Sequence, residues 1–121
     1  MFTVQREYTF SAAHFLPAHD GRCRTQHGHN FRAILLLEGP SLIEDGPKTG
    51  MLIDFEDVDR AMKPLLNGCL DHAQLNQSLG LTHPTSEAVA LWIYRRLHPA
   101  LPLLRAVRVS ETNRAWVEYR P

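Results

Sequence analysis

Cys23-Arg24-Thr25-Gln26-His27-Gly28-His29-Asn30-Phe31-Arg32-Ala33-Ile34-Leu35-Leu36-Leu37 is the stretch on which the fold and the chemistry of this 121-residue chain both turn. Residues 28–38 read as a strand, and Ile34, Leu35, Leu36 and Leu37 make it apolar on both faces. A strand buried on two sides in so small a protein needs cover for its second face, and a subunit partner is the simplest source. At its start, His27 and His29 stand two apart, and residues two apart on a strand project to the same face. Gly28 between them carries no side chain, which is expected to leave room for two imidazoles. Upstream, Phe10-Ser11-Ala12-Ala13-His14 supplies a third histidine. Three imidazoles on one metal leave a fourth zinc position open, the arrangement of a catalytic site. No Asp or Glu accompanies the histidines to complete a facial triad, so zinc is preferred over iron.

Working outward, residues 2–10 alternate, with Phe2, Val4, Tyr8 and Phe10 on one face and Arg6 the one interruption. Asp54 is placed to cap a helix, Asp57 lies in its first turn, and Phe55, Val58, Met62, Leu65 and Leu66 form its apolar stripe. Pro64 within that stripe is expected to kink the helix or end it early. A second helix starts at Thr85 or Ser86 after Pro84, carries Val89, Trp92, Ile93 and Leu97, and stops before Pro99. Residues 104–111 and 115–120 read as two further strands joined by a tight turn at Thr112-Asn113-Arg114. The order β-β-α-α-β-β favours an α+β fold, a four-stranded antiparallel sheet with both helices on one face. The Pro- and Gly-rich stretch Gly39–Gly50 reads as one loop, so residues 1–121 form a single domain.

Composition excludes several classes of function. Thirteen Lys and Arg balance thirteen Asp and Glu, so no basic field marks a nucleic-acid binder. The chain holds no apolar run long enough for a membrane span and no apolar leader segment. Two cysteines build no disulfide framework, which suggests a reduced, cytoplasmic setting.

Other residues invite chemistry. Cys23 lies between Arg22 and Arg24, and a cationic loop favours the reactive anionic form of a thiol. Cys69, among Leu66 and Leu70, reads instead as a small buried hydrophobe. Asp71-His72 is by itself a helix-ending turn; near Cys23 the carboxylate would hold the imidazole's tautomer for a proton relay. Glu111 continues the face of Val107 and Val109, where a carboxylate lies at the solvent edge or grips two adjacent N–H donors of a planar ligand. Pro84-Thr85-Ser86-Glu87 is a hydroxyl-capped helix start whose free N–H groups can also receive a ligand's polar edge.

Taken together, Phe10-Ser11-Ala12-Ala13-His14, Cys23-x3-His27-Gly28-His29, Gly50-Met51-Leu52-Ile53-Asp54-Phe55, Leu70-Asp71-His72-x2-Leu75-Asn76, Pro84-Thr85-Ser86-Glu87 and Val109-Ser110-Glu111-Thr112 resemble the 6-pyruvoyl-tetrahydropterin synthase superfamily of the tunnelling fold. The three-residue gap between Cys23 and His27 is most similar to the bacterial branch making 6-carboxytetrahydropterin for queuosine (7-deazaguanine) biosynthesis. The resemblance implies a zinc-dependent lyase that converts 7,8-dihydroneopterin triphosphate to 6-carboxy-5,6,7,8-tetrahydropterin, acetaldehyde and triphosphate. It implies that His14, His27 and His29 hold zinc, Cys23 is the base, and Asp71 and His72 form the relay. Glu111 would anchor the pterin, with Thr85, Ser86 and Glu87 completing its pocket. It also implies a homo-oligomer, a trimer or a hexamer of two trimers, with active sites at subunit interfaces. Arg22, Arg24, His19 and Lys48 are candidates for the triphosphate by charge alone. The competing expectations are a pyruvoyl-forming synthase and a non-catalytic, zinc-containing pterin- or purine-binding oligomer.

Overall fold

The computed structural model describes residues 1–121 as one α+β unit built on a five-stranded sheet. Strand β1 (Phe2–His14) pairs antiparallel with β2 (His27–Gly39), which pairs antiparallel with β4 (Leu104–Ser110), and β5 (Val117–Tyr119) closes that side. Between them in sequence come helix α1 (Phe55–Leu65), a π-helical turn at Leu66–Leu70, the two-residue strand β3 (Ala73–Gln74), a single helical turn α2 (Leu75–Ser78) and helix α3 (Ser86–Leu97). The fifth strand, absent from the sequence expectation, is β3, and it runs parallel to β1. Its cause is local: Asp71 accepts from the Ser11 N–H at 3.0 Å and the His72 N–H donates to the Ser11 carbonyl at 2.6 Å. The following residues are thereby laid beside Ala12 and Ala13.

The two long strands extend further than their hydrophobic patterns indicated, β1 to His14 and β2 back to His27. The extension matters because it puts all three histidines inside the ladder. At the other end the third and fourth expected strands are shorter, and Glu111 to Trp116 is irregular rather than a tight turn.

One face of the sheet carries the core. Phe10, Phe31, Ala33, Leu35, Leu37, Val107 and Val109 meet Val58 and Met62 of α1 and Val89, Ala90, Ile93 and Leu97 of α3. Asp54 caps α1 by accepting from the Glu56 N–H, and Thr85 caps α3 by accepting from the Ala88 N–H. α geometry stops at Leu65, one residue after Pro64, and gives way to the π turn, in keeping with the local break expected of the proline. Phe55, expected in the core, is 54% exposed, because the first position after the cap faces outward, with the Arg6 guanidinium 5.7 Å from its ring. Trp92 is also only half-buried, beneath Arg96, and Ala90 and Tyr94 take the buried positions beside Val89 and Ile93. Cys69 packs against the core, as its flanks suggested.

A bulge between Leu36 and Leu37 directs Leu104 inward and Ala106 outward. Ile34, Leu36 and Ala106 then form a second apolar cluster, with Ile34 and Leu36 only 6% and 7% exposed in the single chain. Gln5, Glu7 and Arg108 are their cross-strand neighbours, and ion pairs Arg32–Glu7 and Arg108–Glu118, each 2.7 Å, bridge neighbouring strands of this sheet. The apolar stems of such side chains cover hydrophobic surface while their heads stay wet. The double burial of β2 therefore does not by itself require a partner, contrary to the sequence argument.

Candidate metal centre and adjoining clefts

The ladder brings the histidines together. His14 pairs directly with His27 across β1 and β2, and His29 pairs with Ala12, so the three side chains share the inner face just beyond Phe31. The ring centroids of His14 lie 4.5 Å from His27 and 5.2 Å from His29, and those of His27 and His29 are 4.8 Å apart. Phe31 forms the floor, edge-on to His14 at 5.4 Å and to His29 at 5.5 Å. Gly28 points to the opposite face, where an added Cβ would meet only the Ala12 carbonyl at 3.6 Å. It therefore makes no room for the imidazoles, contrary to the sequence reading.

Backbone carbonyls set the tautomers. His14 Nδ1 lies 2.8 Å from the Pro84 carbonyl and His27 Nδ1 lies 2.7 Å from the Thr25 carbonyl. A carbonyl only accepts, so each Nδ1 carries the proton and each Nε2 presents a lone pair. The Nε2 atoms of His14, His27 and His29 are all buried and have no hydrogen-bond partner. One ligand atom from each lies within 4.8 Å of the others. Burial lowers the proton affinity of His29, and His14 and His27 add to that effect while Glu111 opposes it. Three buried Nε2 atoms without partners in one place, two of them shown to present lone pairs, are costly unless something accepts them, and a bound cation does so. These residues fit a metal ion.

Glu111, one residue past β4, continues the inner face. Its carboxylate approaches His14 Nε2 at 3.6 Å and His29 Nε2 at 3.4 Å, and it accepts from the Ser86 hydroxyl at 3.1 Å. Beside it opens a cleft of about 290 Å3 lined by Cys23, Thr85, Ser86, Glu87 and Glu111, with Leu16, Val109 and Val117 as apolar walls. Cys23 sits in a 3-10 turn, Arg22–Arg24, tied down by the Leu16 N–H donating to the Cys23 carbonyl at 2.6 Å.

Asp71 and His72 lie elsewhere. They border the opposite side of β1, where His72 lines a groove of about 470 Å3 with Ser11, Ala13, Gly28, His29 and Asn30. His72 Nδ1 is 3.0 Å from Asp71 Oδ2, and the backbone N–H of Ser11, opposed by burial and aided by His72, holds the Asp71 carboxyl below the usual range. His72 has φ of 57°, the one non-glycine residue in the left-handed region. Within a single chain the pair and Cys23 line different clefts. Lys48 is engaged by Asp57 and by Asp54 at 3.7 Å, so it is not free for a phosphate, whereas Arg22 and Arg24 are exposed. His19 accepts from the Gly21 N–H at 2.8 Å.

The sequence reading missed the carbonyls of Pro84 and Thr25 and the apolar walls of the cleft, and it gave no role to Asn76, whose amide donates to the Phe15 and Thr82 carbonyls. The carbonyls leave no side-chain signal at all.

Residues 3–121 match the family model described as 6-pyruvoyl tetrahydropterin synthase. The chain belongs to this family. A 6-carboxy-5,6,7,8-tetrahydropterin synthase of Synechocystis is 43% identical over 120 residues, covering 98% of this chain and 93% of that protein. The human 6-pyruvoyl tetrahydrobiopterin synthase is 31% identical over 134 residues, covering 97% and 90%. Among solved structures, the 6-pyruvoyl tetrahydropterin synthase of Caenorhabditis elegans superposes with a TM-score of 0.83 at 28% identity, covering 99% of this chain and 95% of that one. The family's fold is thus the fold described above. No helix is long and apolar enough to cross a membrane.

Proposed function

We propose that this protein is a zinc-dependent lyase that converts 7,8-dihydroneopterin triphosphate to 6-carboxy-5,6,7,8-tetrahydropterin, acetaldehyde and triphosphate, with water consumed. The observation that carries this reading is the set of three unpaired Nε2 atoms opening beside a cleft that holds both a thiol and a carboxylate. Family membership supports a pterin-converting enzyme, and the 43% identity to a carboxy-forming relative supports that branch.

In this proposal His14, His27 and His29 hold the zinc. When bound, zinc supplies Lewis-acid polarisation of the substrate's side-chain hydroxyls. Cys23 takes the proton from the side-chain carbon as general base. Glu111, aligned by the Ser86 hydroxyl, accepts from the amino-pyrimidine edge and fixes the pterin's orientation. Thr85, Ser86 and Glu87 form the polar side of that pocket. Asp71 stays ionised and accepts the hydrogen bond of His72 Nδ1–H, which fixes the tautomer and leaves His72 Nε2 to take up and pass on protons.

Because Cys23 and His72 line separate clefts of one chain, the relay meets the thiol only across a subunit boundary. A homo-oligomer, trimer or hexamer, closed through the short edge strands β3 and β5 supplies that boundary. The setting is the cytoplasm and the pathway that of queuosine (7-deazaguanine).

The pyruvoyl-forming reaction is the second reading, favoured by the human relative. Mass spectrometry of the products from dihydroneopterin triphosphate and zinc-loaded protein separates the two. Carboxytetrahydropterin with acetaldehyde is expected; a pyruvoyl product without acetaldehyde would reverse the choice of branch. Zinc retained with no substrate consumed would leave only a binding protein.

A further inference from the structure

His14 is the most buried of the three histidines, 1% exposed, and its orientation depends on one carbonyl, that of Pro84. Pro84 lies seventy residues away in sequence, in the segment between α2 and α3, so something must hold that segment against the end of β1. Half-buried Asn76, in the short turn α2, bonds to both sides. Its Nδ2 donates to the Phe15 carbonyl at 2.9 Å and to the Thr82 carbonyl at 3.2 Å. Its Oδ1 accepts from the Phe15 N–H at 3.0 Å and from Gln74 Nε2 at 2.9 Å. All four capacities of the amide are used, two donors on carbonyls and two lone pairs on N–H groups, so the orientation of the amide is determined by its partners. Phe15 follows His14 directly, and Thr82 precedes Pro84 by two residues.

We propose that Asn76 is the positioning residue of the metal centre: it locks the chain after His14 to the segment carrying Pro84, and through that carbonyl aims His14 Nε2. It touches neither substrate nor metal. The group that receives a ligand imidazole's N–H, here the Pro84 carbonyl, is worth about 10–100-fold in metal affinity, and Asn76 acts by holding that group in place. The inference rests on the metal-centre reading given above.

The test measures zinc affinity by chelator competition, and the visible spectrum of the cobalt(II)-substituted protein, for the wild type, Asn76→Asp and Asn76→Ala. Asn76→Asp keeps the acceptor facing the Phe15 N–H but loses both donations; Asn76→Ala loses everything without adding charge, and carries the test if the Asp variant does not fold. Val58→Ala, a cavity-forming core change in α1 at a residue that touches neither Phe15 nor the Pro84 segment by any hydrogen bond, serves as the control for loss of stability. Zinc affinity is expected to fall about 10–100-fold in both Asn76 variants, with an altered cobalt band, and to hold in Val58→Ala. Wild-type affinity and an unchanged cobalt spectrum in the Asn76 variants would overturn the inference alone. So would an equal loss in Val58→Ala, since stability would then explain it. A wild-type protein that binds neither zinc nor cobalt would overturn the metal reading and this inference with it.

Discussion

Strand β1 carries a polar cluster on its inner face at each end, and the two are built in opposite ways. Near its start, Arg6 and Tyr8 meet Asp59 of α1: Arg6 Nε and Nη2 donate at 2.9 Å and 2.7 Å, and the Tyr8 hydroxyl donates at 2.6 Å. The carboxylate and its donors satisfy one another, and Arg6 and Tyr8 together hold the Asp59 carboxyl down at about 2. Near its end, His14 meets His27 and His29 with every Nε2 left unpaired. Both clusters interrupt an apolar face at a cost in desolvation. One repays it within the chain; the other is complete only when a ligand arrives. Satisfaction, rather than polarity or burial, separates a structural cluster from a functional one.

The comparison predicts its strongest asymmetry in turnover. His27→Ala should abolish stoichiometric zinc, measured by elemental analysis, and lower turnover by on the order of 10³-fold or more. Asp59→Asn should leave both within about twofold. Full zinc in His27→Ala, or loss of zinc in Asp59→Asn, would break the division between the clusters. Next in size, Cys23→Ala should lower kcat by about 10²–10⁴-fold while zinc content stays at the wild-type level, because the thiol lines the cleft beside the histidines and not their convergence point. Unchanged turnover would remove Cys23 as the base.

Much of the histidine end was legible in the sequence, because period-two spacing is a direct statement about faces: His27 and His29 follow from it, and Glu111 follows from Val107 and Val109. Three things were not legible, each for a physical reason. Arg6 read as an interruption because its partner Asp59 is 53 residues away on a helix and no local pattern links them. Strand β3 is two residues long and arises from bonds to Ser11, below the length at which periodicity means anything. Gly28 makes no room for the imidazoles because strand residues alternate in direction: the residue between two inward histidines must itself face outward. The separation of Asp71-His72 from Cys23 was beyond reach, since it depends on which side of β1 the segment after α1 returns.

The satisfied cluster should declare itself in stability instead. Asp59 has a folded pKa depressed to about 2 from an ordinary 3.8, so its contribution is present above that ordinary value and is lost as pH falls towards about 2. Asp59→Asn should lower the melting temperature at neutral pH by about 3–6 °C and flatten its decline between about pH 4 and pH 2. The same acid limb in wild type and variant would show that the carboxylate contributes nothing through its charge.

Tyr8→Phe is the finest test, because it removes one of three donors and leaves the charge pair intact. Asp59 Oδ1 would keep the Arg6 Nε bond and Oδ2 the Nη2 bond, so no buried charge is stranded and the deleted hydroxyl leaves nothing behind but an unfilled lone pair. One lost hydrogen bond to a charged acceptor at a half-buried position costs about 1 kcal/mol, less than Asp59→Asn, which unpairs two side chains at once. Urea melts of Tyr8→Phe, Asp59→Asn and the double variant form a cycle in which the two losses should be less than additive. Strict additivity, or a larger cost for Tyr8→Phe than for Asp59→Asn, would mean that the carboxylate is not the hub of this cluster. Zinc affinity should be indifferent to all three variants, because β1 carries the two clusters on one strand without a shared side-chain partner.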